Sequence, residues 1–151
     1  IPVRGYISCS THCPYETFVN PKIVGQIAKD LFKMGCYEIS LGDTTGKGTP
    51  EQTLEVVKEC LKYLSADKLA GHFHDTYQNA LDNINVCLEN GIKTFDASVG
   101  GLGGCPYSPG AKGNVATEKV NKLLLSKGYE TNLDRDKLKE CSIIAQKLIL
   151  N

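Results

Sequence analysis

The sequence predicts an α/β fold of parallel β/α units, and three observations predict it. Short runs of β-branched and aromatic residues alternate four times with longer stretches whose apolar residues recur at helical spacing. No hairpin signal separates one strand from the next, so right-handed crossovers must join them. Polar, chemistry-bearing residues gather at or just past the carboxyl ends of the strands, which is the ligand side of both (β/α)8 barrels and doubly wound sheets. The 151 residues, 41% of them hydrophobic, suffice for the core of one domain.

Residues 3–9, VRGYISC, read as the first strand. After the turn-rich THCPYE, residues 22–33 place Ile23, Ile27 and Leu31, with Val24, Ala28 and Phe32, on one helical stripe. Residues 36–41, CYEISL, form the second strand, ending in Gly42-Asp43-Thr44. Thr49 as N-cap and Pro50 at the first helical position open a helix to about Leu64, with Leu54, Val57, Leu61 and Leu64 facing inward. The third strand spans residues 68–73. Ala80, Leu81, Ile84, Cys87 and Leu88 mark the helix behind it, ended by Asn90-Gly91. Residues 92–97, IKTFDA, make the fourth strand, which feeds a glycine-rich stretch and then a helix from about Thr117 to Lys127. A last helix runs from roughly Asp134 to Leu150 on a stripe of Leu138, Cys141, Ala145 and Leu148.

Four units would suffice for a flavodoxin-like open sheet, but no glycine-rich phosphate loop follows the first strand. Chemistry spread over all four strand ends suits a barrel better, and a complete barrel needs about 250 residues. Residues 1–151 are therefore read as a single domain amounting to half of a (β/α)8 barrel. Such a half leaves two strand edges and an apolar inner sheet face uncovered, so self-association or marginal stability is expected of the chain by itself.

Lys+Arg and Asp+Glu both number 17, which removes the electrostatic footprint of a nucleic-acid or acidic-membrane binder. No apolar run approaches the ~20 residues of a bilayer crossing, so a soluble chain with small-molecule or subunit partners is expected. The cysteines (9, 13, 36, 60, 87, 105 and 141) are odd in number, and several lie inside predicted strands or helices. That argues against a secreted disulfide scaffold and for a reducing compartment. Ile1 opens the chain without a methionine, which leaves open a removed targeting segment or a missing upstream region.

The stretch from Ser98 to Asn114, SVGGLGGCPYSPGAKGN, suits a loop that bends and moves. At its centre Cys105 lies between Gly103-Gly104 and Pro106, without a disulfide-spaced partner or an apolar face, so a reactive or ligand role is favoured over a structural turn cysteine. His72 and His74, two apart on the third strand, project to one face and could share a cation, the alternative being an ordinary hydrogen-bonded pair. With Asn114 as an oxygen ligand the donor set would suit Mg²⁺, Mn²⁺ or Zn²⁺, although it lacks a carboxylate. Asp75 should point to the opposite face and start the next helix. Asp43 reads equally as an active-site acid or an Asx-turn residue. Cys9, His12 and Cys13 could suggest a zinc knuckle, but no second pair completes four ligands.

GHFHDTYQNA, LGDTTGKGTPEQ and above all SVGGLGGCPYSPGAKGNVATE closely resemble the hydroxymethylglutaryl-CoA lyase family, within the metal-dependent lyases and aldolases built on a TIM barrel. The resemblance runs along essentially the whole chain and matches it to the second, C-terminal half of such a barrel. The H-x-H strand and GNVATE are similar to features shared with isopropylmalate and homocitrate synthases; the GLGGCPY loop resembles the lyase branch specifically. Gly100 stands where the lyase loop usually has alanine, and His12 occupies a variable position.

The resemblance implies cleavage of hydroxymethylglutaryl-CoA to acetoacetate and acetyl-CoA. It implies that His72, His74 and Asn114 hold a divalent cation, Mg²⁺ or Mn²⁺ foremost, and that Cys105 helps protonate the departing enolate. Asp43 and Glu118 enter as supporting acids, and His72 also as a proton relay. An acyl-CoA substrate, an oligomeric state and a cytoplasmic or mitochondrial-matrix location follow on the same ground. The family's Arg-Asp pair on the first barrel strand has no counterpart in this chain. The expected partner is therefore the missing N-terminal half or a second copy of the chain; the alternatives are a non-catalytic metal-binding or assembly module and a related aldolase or acyl-CoA synthase.

Overall fold

The computed structural model describes residues 1–104 and 113–149. Four parallel strands form the sheet: β1 (Gly5–Ile7), β4 (Ile39–Asp43), β5 (Leu69–Phe73) and β6 (Thr94–Asp96), in that spatial order. Two-residue strands β2 (His12–Cys13) and β3 (Thr17–Phe18) pair separately as an antiparallel hairpin. The helices are α1 (Pro21–Lys33), α2 (Pro50–Leu61), α3 (Ala80–Glu89), α4 (Thr117–Ser126) and α5 (Arg135–Ile149). The sheet strands follow one another in chain order without reversal, and α1, α2, α3 and α4 contact one another in the same succession. A doubly wound sheet reverses its strand order at a switch point; this one does not, which rules out the flavodoxin-like alternative.

The helix boundaries follow from local chemistry. Asn20 caps α1 by accepting from the Lys22 amide, with Pro21 inside the first turn. Thr49 and Gln52 form a reciprocal capping box at the start of α2, an arrangement whose loss costs about 1 kcal/mol. Asn90 and Gly91, the latter at φ +86°, end α3 as expected. Asp134 accepts from the amides of Asp136 and Lys137 and so starts α5.

Several expectations need correction. The first strand is shorter than residues 3–9, and the second is shifted from 36–41 to Ile39–Asp43, so that Gly42 and Asp43 belong to it. The β2–β3 hairpin interrupts the first β/α connection. Strands of two residues are too short to carry a period-2 pattern, so the sequence gives no signal for them. On α1, Val24 and Ala28 are buried while Ile23 and Ile27 are exposed: six apolar residues span too wide an arc for one face to meet the sheet. On α2 the buried face is Thr53, Val56, Val57 and Cys60. On α5, Ser142 and Ala145 are buried, whereas Cys141 and Leu148 are exposed.

The core lies between sheet and helices, where Ile39, Leu69, Ile84, Ile92, Val57 and Cys60 are fully enclosed. Strand register divides the sheet into two chemically distinct faces. Ile7, Leu41, Gly71 and Phe95 are matched in register on the helix side, and Tyr6, Ser40, Gly42, His72 and Asp96 alternate with them on the other. The face away from the helices is thus polar and charged, not apolar as the sequence suggested.

Candidate active site

A cavity of about 460 Å³ opens at the carboxyl ends of the strands, lined by Tyr6, Cys13, Thr44, His72, His74 and Gly104 among others. His72 occupies the inner face of β5, and His74 follows it one residue past the strand end. Their rings lie 5.6 Å apart, so the expected convergence of the two imidazoles is present.

The chain just past the glycine-rich stretch is woven into the sheet end. His74 and Asn114 form an antiparallel bridge, the Val115 amide donates to the Phe73 carbonyl, and the Ser98 amide donates to the Val115 carbonyl. Asn114 Nδ2 donates to the Leu102 carbonyl across 3.0 Å, a bond that does not use its Oδ1 acceptor. Asp75 does not begin α3: it is buried, accepts from Lys119 Nζ at 2.9 Å, and its amide donates to the Gly113 carbonyl. Cys105 lies outside the described residues; its neighbour Gly104 lines the cavity.

His74 is largely enclosed, and its Nδ1 is buried without a hydrogen-bond partner. Burial, reinforced by the neighbouring His72 and opposed by Asp43, holds its pKa below the ordinary histidine value. A neutral imidazole with an unpaired nitrogen is the form that ligates a metal. His72, His74 and Asn114 therefore fit a divalent cation as part of a ligand set. Among the described residues, no three His, Cys, Asp or Glu side chains gather as a metal site. The same result removes the Cys9-His12-Cys13 zinc knuckle.

Asp43 stands behind the cavity wall. Its carboxylate is fully buried and accepts from the Gly48 amide at 2.9 Å, the Thr11 hydroxyl at 3.0 Å and the Thr45 hydroxyl at 3.4 Å. Burial raises its pKa, and these hydrogen bonds only partly offset that. Through these contacts Asp43 holds the connection that presents Thr44 and Thr45 to the cavity. Glu118 is likewise away from the cavity, accepting from the Gly100 amide and the Ser142 hydroxyl.

Sequence reasoning missed a cluster on the inner face. Arg4 donates through Nε to Glu38 and through Nη1 to Asp96, both at 2.6 Å, and its guanidinium lies over the Tyr6 ring. Asp96 also accepts from the Ser40 hydroxyl at 3.1 Å and faces His72 Nδ1 at 3.2 Å. Burial alone would raise the Asp96 pKa; hydrogen bonds from His72 and Arg4, with the Arg4 charge, instead bring it well below the usual carboxylate range. The signal was available: Tyr6, Ser40, His72 and Asp96 are polar residues at alternate positions of strands whose other residues are mostly apolar.

The HMGL-like family model matches residues 4–144. The chain is 49% identical over 143 residues to a hydroxymethylglutaryl-CoA lyase of Pseudomonas mevalonii, covering 95% of this chain and 48% of that one. The crystal structure of an HMG-CoA lyase from Brucella melitensis superposes with TM-score 0.97 at 49% identity, over 100% of this chain and 53% of the other. An HMG-CoA lyase from Acinetobacter baumannii, solved in complex with coenzyme A and 3-methylmalate, superposes with TM-score 0.85 at 36% identity, over 92% of this chain and 46% of that one. The chain thus spans about half the length of these relatives, and its four β/α units correspond to half of a (β/α)8 barrel. The chain belongs to the HMGL-like family.

Proposed function

We propose that this chain is the second half of a divalent-metal-dependent lyase that cleaves hydroxymethylglutaryl-CoA into acetoacetate and acetyl-CoA. The observation that carries the reading is the pair of His72 and His74 rings, 5.6 Å apart beside Asn114, at the mouth of a cavity in a chain of this family. A cation held by His72, His74 and Asn114 supplies Lewis-acid stabilisation of negative charge on the substrate oxygens. Mg²⁺ or Mn²⁺ suits the mixed nitrogen and oxygen donors, and the remaining carboxylate ligand would come from the other half-barrel.

The tertiary hydroxyl gives up its proton to a base; His72 would relay that proton through Nε2 only in a state in which this nitrogen does not hold the cation. The hydroxyl carbon becomes a ketone as its bond to the thioester-bearing carbon breaks, and that electron pair passes to the acetyl-CoA enolate. Cys105, one residue beyond Gly104 in the cavity wall, delivers the proton that completes acetyl-CoA. The glycine-rich stretch excludes water from the enolate. Asp43 and Glu118 act one step removed, by holding the cavity wall and the start of the loop. The cavity would take the acyl end of the substrate.

The test uses the complete barrel containing this chain. Chelation should abolish cleavage and Mn²⁺ should restore it. Cys105→Ser should lose about 10²–10⁴-fold in kcat with substrate affinity and metal content nearly unchanged. Near-normal kcat in that variant would return Cys105 to a structural role, and activity unaffected by exhaustive chelation would remove the metal.

A further inference from the structure

Asp96 is engaged at both carboxylate oxygens. Oδ1 takes Arg4 Nη1 at 2.6 Å; Oδ2 takes the Ser40 hydroxyl at 3.1 Å and faces His72 Nδ1 at 3.2 Å. Arg4 is itself fixed by Glu38 and stacked on Tyr6, while Tyr6 meets the His72 ring edge to face. A carboxylate beside a guanidinium is ionised and can only accept. All three groups facing it must therefore donate, and the neutral His72 ring must carry its hydrogen on Nδ1.

We propose that Asp96, held by Arg4 and Ser40, is the positioning residue of this site, locking His72 as the Nδ1–H tautomer with the Nε2 lone pair free for the cation or the substrate proton. The four residues come from β1 or its approach, β4, β5 and β6, so the inner face of the whole described sheet is spent on aiming one imidazole. His74 is different: among the described residues no carboxylate is hydrogen-bonded to its ring, and its Nδ1 has no partner. The two histidines are thus not interchangeable, with His72 pre-oriented and His74 left to be fixed by what binds it. A carboxylate behind a ligating histidine fixes its orientation and raises its basicity, and losing it typically costs 10–100-fold in metal affinity or activity.

This inference rests on the proposed metal site, and its test separates the two. In the complete, metal-free barrel containing this chain, long-range ¹⁵N–¹H correlation spectra recorded where the rings are neutral should show His72 protonated at Nδ1; protonation at Nε2 would overturn the proposal, and no variant is needed to learn it. Asp96→Asn, whose amide can present a donor to Nδ1, should admit the other tautomer and weaken Mn²⁺ binding by about 10–100-fold in calorimetry. In the active enzyme kcat should fall with it while KM for the acyl-CoA changes little. A folded Asp96→Asn protein with unchanged tautomer and Mn²⁺ affinity would overturn the assignment. A protein that binds Mn²⁺ in an Asp96-dependent way but does not cleave hydroxymethylglutaryl-CoA would keep this assignment and remove the lyase reading.

Discussion

The backbone amide of Gly100 donates to the Glu118 carboxylate across 3.1 Å, and the Ser142 hydroxyl donates to the other oxygen of the same group at 2.7 Å. One side chain thus ties the start of the glycine-rich stretch at Gly100 to α4 and α5.

Removing that side chain should loosen all three segments. Glu118→Ala leaves the Gly100 amide and the Ser142 hydroxyl without their partner, a loss of about 1–3 kcal/mol. Glu118→Gln keeps one acceptor and should fall between it and the parent. Urea denaturation of the complete protein measures the order; an unshifted Glu118→Ala midpoint would mean that solvent replaces both bonds without loss.

The same contact predicts a pH dependence. Burial alone would raise the Glu118 pKa, but hydrogen bonds from Ser142 and from the amides of Glu118 and Gly100 lower it overall. The unfolded chain, with a glutamate pKa of about 4.3, therefore takes up the proton first on acidification. The stabilisation is present above about pH 4.3 and is lost as pH falls through the lower folded-state value. Glu118→Gln should flatten that part of the acid limb of the melting temperature, and parallel limbs in parent and variant would contradict the assignment.

Gly100 has φ +67°, and a Cβ placed there would come within 2.9 Å of the Ala145 Cβ. Gly100→Ala should therefore destabilise this chain by more than the roughly 1–2 kcal/mol of a left-handed non-glycine residue. Adding Ala145→Gly should recover the steric part and leave the conformational part. Thermal melts of both single variants and the double variant form a cycle that subtracts the roughly 1 kcal/mol cost of glycine inside α5; additive effects would dismiss the Ala145 contact.

Thiol reactivity should follow burial. Cys60 and Cys87 are buried, and burial pushes both thiols up to about 12, so they should be modified only on unfolding. Cys141, on the exposed side of α5, should react early in the native state. Peptide mapping after timed alkylation gives the order, and native-state labelling of Cys60 or Cys87 would show that the core opens. Serine at either core position should lower stability without altering catalysis.

Expressed without the rest of a barrel, the chain exposes the outer edges of β1 and β6 and bears Tyr6 on an uncovered face. It should self-associate or melt without cooperativity. Its Mg²⁺ affinity should be weak, because two imidazoles and an amide oxygen bring no charge to a hard dication. Sedimentation and calorimetry test both statements; a stable monomer with tight Mg²⁺ binding would refute them.

Local chemistry made the architecture legible in the sequence. Thr49-Pro50 and Asn90-Gly91 mark helix ends because caps satisfy backbone groups within a few residues, whatever the rest of the chain does. The succession of β/α units needed no more than the change from strand to helical spacing. His72 and His74 were legible as a pair because residues two apart on an extended chain share a face.

Tertiary structure decided everything that depends on what lies across the sheet. Ile23 and Leu148 belong to apolar stripes, yet face outward because the packing partner, not the stripe, sets which residues are covered. Asp43, an acid or a turn residue as far as its sequence goes, acquires its buried partners Thr11, Thr45 and Gly48 only in the fold. Asp96 was one polar residue in a short strand until register set it beside His72, with Arg4 92 positions earlier in the chain reaching its other oxygen. Hydrogen bonds of such sequence separation are invisible to any local pattern, and they set His72 Nδ1 against Asp96.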